Sequence, residues 1–425
     1  MQCLPQELVD AILNHVNDHQ TFKSCSLVAS SFVSQSQKHL FHTIDLDALT
    51  PRRKAYARFV RLLTLNPHLG TYVRSLRLGD DSDDFGSSSR SWIIHAKKTL
   101  PQLFQLLPRL EAFSLTFNSD EMNWKSIPAE IRSAIGRLFR LPTLQAVSLE
   151  FILGFPPQLL FGLMRLNQLS LSCVDLDSND VVHSHSASEL RGLHLRGTPP
   201  PVITAISHCL PESSPTLRRL AITPTLEPGF CSAISELMKA VGSNITHFEW
   251  LPSIHFCTCS FSFFFSIHTQ KPTHPPSLAP SSIPIDISRL PHLRFLKFVI
   301  SFRKFRSRGH FTEMLHLLDQ VSTHADNKIE IIELECNLMR WLDHKSLKAQ
   351  WRPLENVLDK AGFRNKLKEI RVGLSVSTNA SIDRGRIAIG FMDLFHSLRE
   401  RGVVISVQDN QGDTKLDRFL SLYFF

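Results

Sequence analysis

Along most of this 425-residue chain one spacing keeps returning: an apolar position, two others, an apolar position, one other, an apolar position. It occurs at Val73/Leu76/Leu78, Leu110/Phe113/Leu115, Leu144/Val147/Leu149, Leu166/Leu169/Leu171 and Leu190/Leu193/Leu195. It returns at Leu217/Leu220/Ile222, Ile245/Phe248/Trp250, Leu293/Leu296/Phe298, Ile329/Ile332/Leu334 and Leu367/Ile370/Val372. The last two positions of each triplet are two residues apart, the period of a strand with one buried face. Between these strands the apolar spacing becomes helical, over Trp92–Leu107, Ala129–Leu141, Phe230–Val241, Thr312–Val321 and Arg384–Arg401. The last of these helices stops at Gly402, a residue suited to a helix C-cap, and leads into a closing strand at Val403–Val407. Ahead of the first strand, Pro51 opens a leading helix whose apolar stripe reads Phe59, Leu62, Leu63 and Leu65.

The first 46 residues have a different texture. Leu4, Leu8, Ile12, Leu13 and Val16 read as one face of a helix, with Glu7 in the first turn, where the helix dipole favours negative charge. Asn17-Asp18 stops that helix and caps the next. Phe22, Cys25, Leu27, Val28, Phe32, Leu40 and Phe41 then carry the apolar pattern through two further short helices. A segment of about 43 residues is close to the size at which a chain struggles to bury its own core without help. At about 1.5–3 kcal/mol per large side chain buried, its apolar surface calls for a cover, from the rest of the chain or from a partner.

These residues resemble the F-box found at the N-terminus of many fungal proteins: L-P-x-E-L-x-x-x-I-L from Leu4, C-S-L-V-x-x-S-F from Cys25, and L-F-x-x-I from Leu40. The resemblance implies docking on a Skp-type adaptor, and through it on a cullin, with Leu4, Pro5, Glu7, Leu8, Ile12, Leu13, Leu27, Val28 and Phe32 as the adaptor-binding residues. Ser30 and Phe32 stand where many members have a basic residue and Trp, which predicts weaker adaptor affinity. The recurring triplets resemble the strand signature of leucine-rich repeats, L-x-x-L-x-L, in a degenerate form. Their starts lie 22 to 48 residues apart and the Asn that normally follows is mostly missing. The fold class expected is therefore α/β: a three-helix F-box followed by an irregular, horseshoe-like leucine-rich-repeat solenoid. The expected division is a helical domain at 1–46, a linker and leading helix at 47–72, repeats at 73–252, an insert at 253–284 and further repeats at 285–425.

The insert stands apart in composition. Ser253–Ile283 holds a single charged residue, Lys271, amid Phe, Ser, Pro, His and Thr, and its prolines forbid continuous regular structure. Pyrimidine-rich codons specify Phe, Ser, Leu and Pro, so the segment reads as a translated intron, or else as a disordered insertion, between Trp250 and Leu293. Elsewhere the composition is that of a globular protein, 43% hydrophobic and 20% charged. Of the net charge of +8, +6 lies in residues 284–425 and reads as a solvated face rather than a nucleic-acid site. Cys3 and Pro5 occupy the place of a secretory signal, no apolar run is long enough to span a membrane, and the eight cysteines form no framework. Cytoplasmic or nuclear residence with reduced thiols is the expectation.

No chemistry announces itself. Phosphate-loop, dinucleotide, nucleophile-elbow and zinc-protease motifs are missing. Cys257-x-Cys259 and His183-x-His185 lack partners at metal-ligand spacing, and the acidic loop at Asp80–Gly86 has Phe85 and Trp92 where a calcium loop needs oxygen ligands. The basic-aromatic stretch Arg303–Arg308 reads as a loop beside a strand. Neither cofactor nor metal nor catalytic residue is predicted, in keeping with a receptor that positions a substrate for other subunits. Side chains alternate across a strand, so the residue between the last two apolar positions of each triplet faces away from the core. Along the chain that row reads Arg77, Ser114, Ser148, Ser170, His194, Ala221, Glu249, Lys297, Glu333 and Arg371. Its charged end, Glu249, Lys297, Glu333 and Arg371, is the predicted substrate-binding surface. The alternative function is a leucine-rich interaction scaffold whose helical segment merely caps the array.

Overall fold

The structure, a computed structural model, describes residues 4–16, 18–46, 52–80, 92–117, 122–162, 166–177, 189–210, 216–225, 227–251, 285–302, 308–324, 326–338, 344–376 and 384–409. The chain forms two compact units, residues 1–188 and 189–425. The insert at 253–284, the two His/Cys pairs, the loop after Asp80 and residues 303–307 of the basic-aromatic stretch lie outside the described residues.

The first unit opens with three helices, α1 (Gln6–Asn14), α2 (His19–Val28) and α3 (Ser30–His42). Asp18 caps α2 as expected, its carboxylate accepting from the Thr21 backbone N–H at 2.7 Å and from the Thr21 hydroxyl at 2.6 Å. Directly after α3 the chain becomes β1 (Thr43–Asp45), which pairs in parallel with β2 (Ser75–Asp80), placing Ile44 opposite Leu76. The helical segment thus enters the sheet at its own last residues. Helix α4 (Arg52–Leu65) spans most of the interval, but its buried stripe is Tyr56, Val60 and Leu63; Leu62 and Leu65 are exposed. Spacing explains the correction: Tyr56, Val60 and Leu63 recur at i, i+4 and i+7, whereas Leu62 and Leu65 fall beside that line. A short turn of helix, Pro67–Gly70, follows; a Cβ on Gly70 would land on the Leu106 carbonyl oxygen, so the close approach there requires glycine.

Strands β1, β2, β3 (Ala112–Phe117), β5 (Ala146–Phe155) and β6 (Gln168–Leu176) lie side by side in that order, all parallel, and the two-residue β4 (Met122–Asn123) also pairs with β5. Phe113, Val147 and Leu169 are in register, as are Leu115, Leu149 and Leu171, so the triplets stack as rows of buried side chains. Phe151 and Cys173 take left-handed φ values of 59° and 51°, between the pairs Glu150/Ser172 and Ile152/Val174, where both strands keep register. The bulge follows, between Ile152 and Phe155 of β5, which run opposite Val174 and Leu176 of β6. Around the left-handed residues the buried face advances by three residues instead of two, from Leu149 to Ile152 and from Leu171 to Val174.

In the second unit β7 (Gly192–Arg196), β8 (Arg219–Thr223), β9 (His247–Trp250), β10 (Phe295–Phe302), β11 (Ile331–Leu338), β12 (Glu369–Val376) and β13 (Val404–Asp409) form a parallel sheet in sequence order. The strands on either side of residues 252–284 are direct neighbours, with Phe248 opposite Leu296 and Trp250 opposite Phe298. Helices connect the strands and bury one face on them. Trp351, from the helix His344–Leu358, is fully buried against Phe311 and Phe391, with ring centroids at 5.2 and 4.9 Å. The expected helix 384–401 is two, Arg384–Leu394 and His396–Glu400, and Trp92–Leu107 likewise divides into Trp92–His95 and Thr99–Gln105. Gly402 ends the former at φ 86°, in the left-handed conformation of a helix C-cap. Among the described residues no helix is long and apolar enough to cross a membrane.

Candidate functional site

Two surfaces bear the sequence-predicted residues, one in each unit. On α1, Val9 and Leu13 are buried and join Phe22 of α2 in a small core, against which Val16, Cys25, Phe32 and Leu40 pack. The Phe22 ring stacks on His39 of α3 with centroids 4.5 Å apart. Leu8 and Ile12 do not share that face; they are about half exposed, as is Leu4 just before the helix. Consecutive helical residues point about 100° apart, so Leu8 and Ile12 form a second stripe one residue out of step with Val9 and Leu13. The reading of Leu4, Leu8, Ile12, Leu13 and Val16 as a single face is therefore corrected to two stripes, one inward and one outward.

At the end of α2, Leu27 and Val28 are 87% and 73% exposed. Pro5 and Glu7 are also exposed. Leu13, only 1% exposed, lies beneath this surface in the core, and Phe32 is half buried on the same core. Of the nine large hydrophobic side chains exposed among the described residues, five are Leu4, Leu8, Ile12, Leu27 and Val28.

The second surface is the polar side of the sheet in the second unit. Glu249 lies opposite Lys297, Lys297 opposite Glu333 and Glu333 opposite Arg371, on four successive strands. Sequence spacing thus brought the four together, but the structure pairs Lys297 with Glu333 and Glu335, and Arg371 with Glu369. Lys297 is only 6% exposed, and its Nζ lies 2.8 Å from Glu333 Oε1 and 3.3 Å from Glu335 Oε2. Burial by itself would lower the pKa of this ammonium; Glu333, Glu335 and Glu249 outweigh it and hold the pKa above the usual lysine value. Glu249 is pushed up, foremost by burial, with Lys297 opposing and Glu333 adding repulsion. Arg371 forks onto Glu369, with Nε and Nη2 each donating at 2.9 Å, which lowers the Glu369 pKa.

Sequence reasoning missed Glu335 and Glu369, which sit one alternation along the same strands as Glu333 and Arg371. The period of two could have found both. His194, in the same row, is buried and its pKa falls to about 4, because burial penalises the imidazolium. Among the described residues no group of three or more His, Cys, Asp or Glu is placed to hold a metal ion.

With this geometry in place, residues 1–80 match the family described as COS11 F-box domain. The match supports an F-box protein, and it covers α1 to β2, including the outward stripe of α1 and the exposed end of α2. No curated protein matches the chain. Among solved structures it is similar to a Bacteroides fragilis protein, a structural-genomics target, at 12% identity over 86% of each chain with a TM-score of 0.35.

Proposed function

We propose that this protein is the substrate receptor of a Skp–cullin–F-box ubiquitin ligase, itself without catalytic activity. Leu4, Leu8, Ile12, Leu27 and Val28, with Pro5 and Glu7 beside them, dock on a Skp-type adaptor and through it on a cullin. The parallel sheets act as leucine-rich-repeat-like platforms, and the polar row Glu249, Lys297, Glu333 and Arg371 contacts a protein substrate. The observation that carries this reading is the outward apolar stripe within the family match: large side chains left uncovered at the N-terminus, above a core that is already closed.

Removing such side chains from water is worth up to about 1.5–3 kcal/mol each. A few of them suffice as the anchors of an interface. Leu8→Asp with Leu27→Asp tests the reading, because both positions are exposed and the substitutions leave the core intact. The full chain is expected to co-purify a Skp-type adaptor and the double variant to lose it, with an unchanged melting curve. Retention of the adaptor by the variant, or no capture by the wild type, refutes the reading and leaves the scaffold alternative.

A further inference from the structure

We infer that the first unit carries an anion-binding cavity that takes a phosphate monoester. The cavity, about 550 Å³ and open to solvent, lies between the helix Ala129–Leu138, the turn Trp124–Ser126 and Leu159. Its volume is in the range of small-ligand sites. Ile131, Ala134, Ile135 and Leu138 fix the buried face of the helix. The rest of the helix carries the small residues Ala129, Ser133 and Gly136, which leave the space, and the cations Arg132 and Arg137, which line it together with Arg140 just past the helix end.

Three guanidinium groups around one concavity repel one another unless an anion sits among them. Among the described residues none of the three is in an ion pair with a carboxylate. Arg137 has a structural reason to be where it is, since the last turn of a helix favours a cation. Arg132 has none of that kind: its Nε–H is buried and makes no hydrogen bond among the described residues. A buried donor left without an acceptor is costly, the more so on a charged group, and an oxyanion in the cavity would supply the acceptor. Arginine forks match the oxygens of carboxylate and phosphate alike. A single carboxylate would leave most of the positive charge unbalanced, whereas a phosphate monoester carries about −1.5 to −2 near neutral pH. Trp124 and Leu159 give the carrier of that phosphate an apolar wall. The inference stands on residues 124–159 alone and is independent of the adaptor reading.

The phosphate can belong to a free small molecule or to a side chain of another protein, and two probes separate these sources. The full-length chain is titrated calorimetrically with glycerol phosphate and with a short phosphoserine peptide, each beside its dephosphorylated counterpart. Saturable binding of either phosphorylated probe is expected, glycerol phosphate alone marking the small-molecule source and the peptide alone the protein source. Arg132→Gln with Arg140→Gln should weaken it by about tenfold or more, as expected for the loss of charge-assisted bonds. Gly136→Leu, which fills the cavity without altering charge, should weaken it as well, with folding of each variant checked by its melting curve. Should a variant melt lower, Arg137→Gln, at an exposed position, replaces it. Failure of both probes to saturate, or wild-type affinity in folded variants of both kinds, overturns the inference.

Discussion

Replacing Lys297 by Met removes the one ammonium bonded to both Glu333 and Glu335, while keeping most of its apolar length. Breaking a buried ion pair from one side costs about 3–5 kcal/mol, because the abandoned charge stays desolvated. Here the Glu333 side chain keeps 25% of its exposure and that of Glu335 16%, so water still reaches them and the lower end, about 3 kcal/mol at neutral pH, applies. The sign with pH follows from the linkage. The raised Lys297 pKa means that its contribution is fully present below the unfolded lysine pKa and is lost only as pH rises through the folded value, far above neutrality.

Between acid and neutral pH the dependence therefore comes from Glu249. Lys297 opposes the raised pKa of Glu249, so without it that carboxyl is pushed up further and the variant loses more stability than the wild type as pH climbs through the carboxylate range. Hydrogen exchange followed on peptides from β10 and β11 isolates the second unit and reads the opening free energy of those strands. Equal losses at acid and neutral pH would assign the effect to packing rather than charge, and no loss at all would refute the cluster's role in stability. Adding Glu333→Gln to Lys297→Met should recover part of the loss, since one abandoned carboxylate is then neutral.

Leu13→Ala should loosen the three-helix segment, at about 2–5 kcal/mol for a buried Leu truncated to Ala, measured as faster exchange across α1 to α3; Leu8→Ala, at an exposed position, should leave that exchange unchanged. Glu313→Gln should raise the melting temperature at neutral pH. Burial lifts the Glu313 carboxyl above its usual range, so its ionisation destabilises the fold as pH rises through that pKa, and the gain should shrink on acidification. Gly402→Ala meets no steric obstacle, so its cost is the left-handed backbone alone, about 1–2 kcal/mol, read from the exchange of β13 and the preceding helix. Asp18→Ala should remove the cap of α2 and fray its first turn, seen as faster exchange of the amides there.

Each of the ten recurring triplets contributes to a strand, because a period of two is a local property that the pleat converts directly into a buried face. The row Glu249, Lys297, Glu333 and Arg371 was legible for the same reason: equal offsets within like strands become neighbours once the strands pair in register. Asp18 and Gly402, the helix caps, were legible too, since capping depends only on adjacent backbone. Tertiary packing decided what local pattern could not. A helix with apolar residues at both Leu8 and Val9 has two stripes, and only the neighbouring α2 and α3 determine that Val9 and Leu13 turn inward and Leu8 and Ile12 outward. The burial of Lys297, and hence its service as the hub of three carboxylates rather than a free cation, arises from strands brought together across long sequence intervals. So does the cavity at Arg132, whose lining residues Trp124, Gly136 and Leu159 share no motif and meet only because their elements pack.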